Sequence, residues 1–494
     1  MTKKLILAAF VAAMTFTACH KEPQPPIEPT PTPEPVAGSE FGRALRSLDI
    51  VSRVDTIVPE QNPAEFAELY QVTFTQPVDH DNPAAGSFTQ KAFLFYVGAD
   101  RPTVLYTCGY TLYETFRQVP FIDIAYNMNA NLLMVEHRYY GDSKPEGDPQ
   151  WTYLTTRQAA TDHHAIIDAL KPLLPMEWVS TGTSKDGMTS LFLRYYYPND
   201  ITVTTAFCAP LMPSLHYLPV GRYLLEESGT AEERSRMEAL MERLLEDGEQ
   251  GLYARCLELL EDHGITHDYT YNWYPHDCFT YNWYVHDCLA FFFNFFSYQT
   301  PATRQLPSLS ESDDQLLLTI FENTFAQVDY GFLYPYYVQT AKELGQFFYD
   351  YSVYANLLDG TAFDYDAAWA NASELAPADR WLYDTYDNTF ITDLRDNFLP
   401  STTCPILLVY TKDDPWTGSR PASVNPQSAK LIINPDGIHR HDINNAEHYA
   451  PALRQEIMDF VALYVHYDND PVVAKRPAFS FSPEMNDRFM INKH

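Results

Sequence analysis

The sequence predicts an α/β fold whose sheet is interrupted by a large, mostly helical insertion. Two observations lead to this class. Short apolar runs rich in β-branched residues alternate with helical patterns from about residue 90 to 212, and two similar runs follow residue 400. Strands separated by helices imply parallel pairing in one sheet. The 494 residues are 46 % hydrophobic, which is enough for a packed core and excludes a chain that is disordered throughout.

Each element of the sheet follows from a local pattern. The predicted strands are, in chain order, Thr103–Tyr110, Leu132–Tyr140, Trp178–Thr183, Val203–Leu211, Pro405–Thr411 and Ala429–Asn434. A helix is predicted over Thr155–Lys171, where Thr155 and Gln158 have the spacing of a capping box that satisfies free backbone N–H groups. A last helix is expected from about His448 to Val465.

The insertion is predicted to be an aromatic-rich helical cap over residues 215–400. One of its helices has Thr230 and Glu233 spaced as a capping box, and an apolar stripe at helical spacing follows at Met237, Leu240, Met241, Leu244 and Leu245. The core that contains the sheet is therefore divided into a first part, 46–214, and a second part with a C-terminal tail, 401–494.

The N-terminus has the pattern of a lipoprotein signal. Lys3 and Lys4 precede an apolar stretch that ends shortly before Cys19, and that stretch is too short to span a bilayer. We expect residues 1–18 to be a signal peptide and Cys19 to become the lipid attachment site. An ordinary signal peptide with an incidental cysteine is the alternative, because Phe16 is an unusual residue in a lipobox.

A proline-rich segment follows the expected cleavage site. Residues 19–45 contain seven prolines between Pro23 and Pro35, so they favour an extended linker that lifts the folded part off the lipid. The expected location is extracytoplasmic, anchored to a bacterial membrane. Glu22 soon after the cysteine favours the outer membrane or the cell surface.

The charge excludes one class of partner and favours another. Asp and Glu number 65 against 33 Lys and Arg, a formal charge of −32. Nucleic acid is a poor partner for so acidic a surface, since phosphate binding depends on clustered basic residues. Removing Lys3 and Lys4 with the signal leaves 31 basic side chains and a charge of −34. This charge favours solubility and cationic substrates such as peptides with free amino groups.

The cysteines and one local repeat do not predict a disulfide scaffold or a metal. Six cysteines remain after Cys19 and are widely scattered, and three of them (Cys108, Cys208 and Cys404) lie in apolar runs typical of buried thiols. The segment starting at Thr270 is repeated ten residues on, with His-Asp-Cys at 276–278 and again at 286–288. This spacing matches no standard zinc pattern, so we interpret the repeat as a tandem duplication.

The strongest chemical signal is the turn after the strand Trp178–Thr183. It contains Gly182-Thr183-Ser184-Lys185-Asp186-Gly187 and precedes a helix, the arrangement that exposes a nucleophilic serine in α/β hydrolases. The N–H of Lys185 can stabilise an oxyanion, and the strand end at Gly109 and Tyr110 is a suitable place for a second donor. An ordinary turn between a strand and a helix is the alternative.

Acid and base candidates follow the two late strands. Asp413 and Asp414 come after the first, and His439 and His441 after the second. The chain order serine, carboxylate, histidine is that of α/β hydrolases. A serine needs a base to take its proton, and the base needs a carboxylate to orient it. The residues themselves leave both the acid and the base open.

Several motifs resemble those of the secreted bacterial serine tripeptidyl and prolyl aminopeptidases. They are Tyr153-Leu154-Thr155, Gln158-Ala159-Ala160, Asp162-His163-His164, Ser180-Thr181-Gly182, Ser184-Lys185, Gly187-Met188-Thr189 and Tyr197-Pro198. The run from Val135 to Gly141 and Asp414-Pro415-Trp416 also resemble the related prolylcarboxypeptidase and dipeptidyl peptidase group. The resemblance is dense over residues 65–215, thinner over 400–465 and diffuse through the cap.

This resemblance implies an α/β-hydrolase fold and a serine exopeptidase. It implies Ser184 as nucleophile, Asp414 as acid and His439 as base, and the release of di- or tripeptides from a free N-terminus without a metal or organic cofactor. The Asp-Pro-Trp match favours Asp414 over Asp413, and the Gly-x-His match favours His439 over His441. We expect the other histidines to be structural, and Glu136 and Arg138 to be buried polar supports.

One residue departs from the family pattern. Asp186 stands where the family has glycine, two residues after the serine. A carboxylate there is expected to distort the turn and to oppose a developing oxyanion. One alternative to the exopeptidase is therefore a catalytically weak member that binds peptides or glycans at the surface. The alternative among enzymes is an esterase or lipase with the same triad, which a wide apolar groove in the cap would favour.

Overall fold

Nine strands form a single mixed sheet. The computed structural model describes residues 38–58, 66–113, 122–148, 150–263, 280–324, 330–366, 375–376 and 378–467. The strands are β1 Val51–Thr56, β2 Glu68–Pro77, β3 Ser87–Tyr96, β4 Thr103–Thr107, β5 Asn131–Val135, β6 Trp178–Thr183, β7 Val203–Phe207, β8 Ile406–Thr411 and β9 Ala429–Asn434. Their spatial order is β1-β2-β3-β5-β4-β6-β7-β8-β9.

The pairing of these strands changes from antiparallel to parallel across the sheet. β1, β2, β3 and β5 pair in antiparallel fashion, and all pairs from β5 through β4 to β9 are parallel. In the parallel part all carboxyl ends meet at one edge, where ligands bind in open α/β sheets. This mostly parallel sheet with its crossing helices confirms the predicted α/β-hydrolase fold.

Helices connect the strands, and the secondary-structure elements described within the insertion are helical. They are α1 Glu40–Arg46, α2 Asp123–Met128, α3 Thr156–Leu170, α4 Lys185–Tyr196, α5 Leu218–Glu226, α6 Ala231–Leu245, α7 Leu252–Asp262, α8 Tyr281–Tyr298, α9 Asp313–Thr324, α10 Tyr330–Gln339, α11 Ala355–Leu358, α12 Thr389–Asp393, α13 Leu399–Ser401 and α14 Pro451–Ala462. Within the ranges given above, no helix is both long and apolar enough to cross a lipid bilayer.

Alternate side chains of the strands fill two cores on opposite faces of the sheet. Phe93 and Phe95 pack with residues of α2 and α14, while Ala92 and Leu94 pack with Ile166 and other residues of α3. This division follows from the two-residue period of a strand, which sends neighbouring side chains to opposite faces. A third core joins α5, α6, α7, α8 and α9 of the cap and is largely separate from the sheet.

The strand predictions were accurate at some ends and too long at others. β6 and β9 have the predicted bounds, but β4, β5 and β7 end at Thr107, Val135 and Phe207, three to five residues before the predicted ends. Almost all of the residues beyond these ends are still buried, although those after β5 include the polar side chains of Glu136, His137 and Arg138. Runs of buried residues therefore extend past the last hydrogen bonds between these strands, and burial alone did not mark the strand ends.

The predicted helix starts differ in one respect. Thr230 and Glu233 form the complete reciprocal capping box of α6. At α3, Thr155 Oγ1 accepts from the Gln158 N–H at 3.2 Å, but the Gln158 side chain turns away. It accepts from the backbone N–H of His80 at 3.0 Å and so joins the helix to another loop. The prediction was right for the threonine and wrong for the glutamine. The last helix begins at Pro451, after the predicted His448.

The described cysteines are free thiols. Cys108, Cys208, Cys256 and Cys288 are buried, whereas Cys404, which we expected to be buried, is partly exposed. The first copy of the repeat and Cys278 lie outside the described residues. The second copy forms the start of α8, with Thr280 as its N-cap and Cys288 in the cap core. The signal sequence, Cys19 and most of the proline-rich segment also lie outside them.

Candidate active site

Ser184 lies in a strained turn between β6 and α4. Its φ of 58° and ψ of −127° are unfavourable for a residue with a side chain and cost about 1–3 kcal/mol. The Ser184 N–H donates to the Phe207 carbonyl of β7 at 2.8 Å, which fixes the turn against the sheet. Gly182 is required for this close approach, because a Cβ there would lie 2.3 Å from the Asp186 carbonyl carbon. The half-buried Ser184 side chain thus lies at the carboxyl edge of the sheet.

Asp414 and His439 form a buried hydrogen-bonded pair at the same edge. Asp414 follows β8, and its Oδ2 is 2.6 Å from His439 Nδ1. Its Oδ1 accepts from the Ser297 hydroxyl at 3.0 Å and from the Trp416 N–H at 3.3 Å. Asp414 is fully buried and His439 is 6 % exposed. A buried carboxylate that holds one ring nitrogen of a histidine can orient the ring and stabilise its cation.

The structure gives the two rival residues other partners. Asp413 accepts from Arg304 Nη1 at 2.6 Å and from the Gly229 N–H at 3.0 Å, so it faces the cap. His441 Nδ1 is hydrogen-bonded to the Thr183 hydroxyl, and burial lowers the pKa of His441 to about 4. That contact places the loop that carries His439 against the turn that carries Ser184.

The Ser184 hydroxyl itself makes no hydrogen bond with another described residue. Hydrogen bonds between a nucleophile and its base are often long in a free enzyme and tighten when substrate binds. The Asp414–His439 pair is therefore preformed, while the bond from the nucleophile to the base is not.

The predicted oxyanion donors do not all have the expected arrangement. Lys185 is the first residue of α4, where a backbone N–H has no partner within the helix. The Gly109 N–H, in contrast, donates to Asp186 Oδ1 at 2.5 Å, so it is not free to meet an oxyanion while that bond holds. The prediction for Gly109 is corrected in this respect, and Lys185 and Tyr110 remain the candidates.

Asp186 is held in a polar cluster behind the nucleophile. The Tyr106 hydroxyl donates to Oδ2 and the Gly109 N–H to Oδ1, so both carboxylate oxygens are satisfied. Burial raises the pKa of Asp186 to about 6, although these bonds and the charge of Lys185 oppose the rise. Burial likewise lowers the pKa of Lys185 to about 7. The turn keeps its strained serine, so the expected distortion by Asp186 is not seen.

The Lys185 side chain is turned into the protein. Its Nζ donates to the Gly109 carbonyl and lies over the rings of Tyr110 and Tyr140, 5.3 and 5.0 Å from their centroids. A fully buried lysine is costly unless its ammonium has such partners. The backbone N–H and the side chain of this residue thus face different surroundings.

Glu136 and Arg138 are buried supports, as we expected. Glu136 accepts from the Leu112 N–H at 2.8 Å and from the Ser143 hydroxyl at 2.7 Å, which fixes two loops at the carboxyl edge. Arg138 donates to both oxygens of Asp162 at 2.7 and 2.8 Å. Both residues are fully buried and bind other parts of the chain.

The predicted structural histidines likewise contact other parts of the chain. His137 Nδ1 and His163 Nδ1 are hydrogen-bonded to backbone carbonyls, at 2.7 and 2.9 Å respectively. His164 Nδ1 lies 2.7 Å from Asp200 Oδ2.

The sequence analysis missed Ser297, a residue of the cap that contacts Asp414 in the site. Its signal in the sequence was a small polar residue near the end of an otherwise aromatic helical stretch, but no local pattern linked it to Asp414. Cys208 was expected only as a buried thiol. Its Sγ and ligand atoms of Asp414 and His439 lie within 4.8 Å of one another, the spacing that a metal ion would need. The hydrogen bond between Asp414 and His439 would compete with metal binding by these two residues.

Comparison with known proteins shows a similarity to peptidases. Residues 46–249 match the family described as PS-10 peptidase S37. The chain is 37 % identical over 151 residues to prolyl tri/tetrapeptidyl aminopeptidase of Streptomyces mobaraensis, which is 31 % of each protein. It is 27 % identical over 206 residues to human lysosomal Pro-X carboxypeptidase, which is 37 % of this chain and 39 % of that one. The matches span about a third of these relatives, and they confirm the predicted relationship to this peptidase family.

The similarity to solved structures is weaker. The crystal structure of proline iminopeptidase from Mycobacterium smegmatis aligns with 79 % of this chain and 98 % of that one. The TM-score is 0.34 and the identity 11 %. No functional conclusion follows from a similarity of this size.

Proposed function

We propose that the protein is a serine exopeptidase that removes di- or tripeptides from the free N-terminus of peptides. The observation that carries the proposal is the strained Ser184 at the sheet edge that also holds the buried Asp414–His439 pair. The peptidase family matched by residues 46–249 and the aminopeptidase and carboxypeptidase relatives support the same chemistry.

The proposed reaction is a two-step acyl transfer. Ser184 Oγ attacks the carbonyl carbon of the scissile peptide bond while its proton passes to His439. The C–N bond then breaks, and His439 gives that proton to the departing amine. Water attacks the acyl-enzyme with the same histidine as base, which releases the short peptide and restores the serine. The Lys185 N–H and a second donor near Tyr110 stabilise the oxyanion in both steps.

The proposed location is extracytoplasmic, at the outer membrane or the cell surface of a bacterium, with the folded part held by lipid on Cys19. The basic start, the short apolar run and the proline-rich segment of the sequence support it. Metabolic labelling with an alkyne fatty acid tests this. Label on the wild type and none on Cys19→Ser is expected, and equal labelling of both would contradict the anchor.

A serine-reactive fluorophosphonate probe tests the enzyme class. We expect labelling of the wild type and none of Ser184→Ala; a folded wild type that takes no label would refute the hydrolase.

Matched pairs of variants test the acid and the base. Asp414→Asn is expected to lower kcat about 10⁴-fold, as loss of a triad acid does. Asp413→Asn leaves Asp414 in place, so it should not cause this loss of kcat. His439→Gln should abolish turnover and His441→Gln should not.

Substrate class is tested with tripeptide amides whose N-terminus is free or acetylated. A free amino group is required by the proposal, so acetylation should prevent cleavage. Equal turnover of free and blocked peptides, or faster turnover of simple esters, would favour the esterase alternative.

A second candidate is a catalytically weak relative that binds peptides at the surface. The observation in its favour is the hydrogen bond between the Gly109 N–H and Asp186, which occupies one predicted oxyanion donor. Peptide binding by the wild type without probe labelling or turnover would support this candidate. Restoration of turnover by Asp186→Gly would show that Asp186 is the cause.

A further inference from the structure

The end of cap helix α8 contacts both members of the Asp414–His439 pair. Ser297 is fully buried near the end of this helix. Its hydroxyl donates to Asp414 Oδ1 at 3.0 Å. Its backbone carbonyl accepts from the His439 N–H at 2.8 Å. One residue of the cap thus binds the side chain of the acid and the backbone of the base.

A second contact fixes the same part of the cap to the same loop. Arg304, six residues after α8, donates to Asp413 at 2.6 Å and to both oxygens of Glu233 at 2.6 and 2.8 Å. Its side chain is 2 % exposed, and its guanidinium lies over the Phe296 ring. Asp413 immediately precedes Asp414, so neighbouring carboxylates are each bound by the cap through a different donor.

We propose that Ser297 is a positioning residue and that the cap is part of the device that orients the acid and the base. This inference rests on the proposed function, since the residues that Ser297 would orient belong to the proposed catalytic triad. Without the hydroxyl, Asp414 Oδ1 retains only the Trp416 N–H at 3.3 Å among the hydrogen bonds described above. The carboxylate can then rotate away from His439 Nδ1. A cap that merely covered the site would not change this pair.

The main test compares Ser297→Ala with Ser297→Thr and with Ser228→Ala. Ser228 is the matched control, because it is a fully buried serine of the inserted region whose hydroxyl has no hydrogen-bond partner among the described residues. A hydrogen bond to a charged group corresponds to about 10- to 100-fold in rate. We therefore expect Ser297→Ala to lower kcat by about that factor with little change in KM. Ser297→Thr should restore most of it, and Ser228→Ala should resemble the wild type.

Proton NMR gives a second measurement that does not need turnover. A proton shared between a buried carboxylate and His439 Nδ1 should resonate far downfield, and it should shift or broaden in Ser297→Ala but not in Ser228→Ala. If the wild type shows this resonance but no peptidase activity, the proposed function fails while the role of Ser297 is still tested. Unchanged kcat and an unchanged resonance in folded Ser297→Ala would overturn the inference.

A second variant tests the inference if Ser297→Ala does not fold. If Ser297→Ala is unfolded by circular dichroism, Ser297→Cys replaces it, since the thiol fills the site but is a weak donor. The inference then requires lower kcat in Ser297→Cys than in Ser297→Thr, and equal kcat in the two variants would overturn it.

Discussion

Replacing Asp186 with asparagine is expected to stabilise the protein at pH 8 and to change its stability little at pH 4. Burial raises the pKa of Asp186 from 3.8 to about 6. The folded state therefore binds a proton at this site more tightly than the unfolded state does. Between pH 4 and 6 the free energy of unfolding falls as the pH rises, because the folded state must lose the extra proton. A pKa difference of about two units corresponds to about 3 kcal/mol.

The neighbouring lysine determines which pH gives the clearest result. Burial lowers the pKa of Lys185 to about 7, so its ammonium is largely charged at pH 6 and largely neutral at pH 8. The charge of Asp186 favours the charged lysine, and Asp186→Asn removes that support. At pH 8 this loss is small, and most of the 3 kcal/mol should therefore appear as added stability.

Urea unfolding of the wild type and of Asp186→Asn at pH 4, 6 and 8 measures the effect. We expect a difference near zero at pH 4 that grows to about 2–3 kcal/mol in favour of the variant at pH 8. Tyr106→Phe is the opposite control. It removes a donor that lowers the pKa of Asp186, so its destabilisation should be larger at pH 8 than at pH 4. A difference between the wild type and Asp186→Asn that does not change with pH would refute the reasoning.

Two further changes test the strain at the nucleophile and the anchor of the cap. Ser184→Gly should stabilise the fold by about 1–3 kcal/mol while abolishing activity, because glycine adopts a φ of 58° freely. Ser184→Ala should give no such gain, and equal urea midpoints for the two variants would contradict stored strain. Arg304→Met should lower the free energy of unfolding by about 3–5 kcal/mol, since it removes the buried guanidinium that pairs with the buried carboxylate of Asp413. Arg243→Met, which breaks a more exposed pair with Asp313, should change it by less than about 1 kcal/mol, and similar losses in both variants would refute the distinction.

Much of the sheet could be predicted because its information is local. β6 and β9 are bounded by turn residues and have the predicted ends, and the strand–turn–helix pattern placed Ser184. β4, β5 and β7 were predicted too long, because almost all of the residues that follow each strand are buried like the strand itself. Hydrophobicity reports burial, and it does not report where the backbone stops pairing.

The contacts of the site were harder to predict because their partners are distant in the sequence. Asp186 was expected to disturb the turn, yet its carboxylate is held by Tyr106 and Gly109, 80 and 77 residues away. Ser297 is 117 residues from the carboxylate that it binds. Helical periodicity placed neither side chain, since both contacts depend on how separate elements pack.

The sequence by itself determined the α/β class, the serine turn and the order serine, carboxylate, histidine, because these are patterns of neighbouring residues. Tertiary structure decided which of two adjacent aspartates binds a histidine and which binds the cap. It gave Asp414 to His439 and Asp413 to Arg304. The reason is geometric. Adjacent side chains at a strand end point in different directions, and only the tertiary structure shows which residues lie in each direction. The same packing brings Ser297 from the insertion into contact with Asp414.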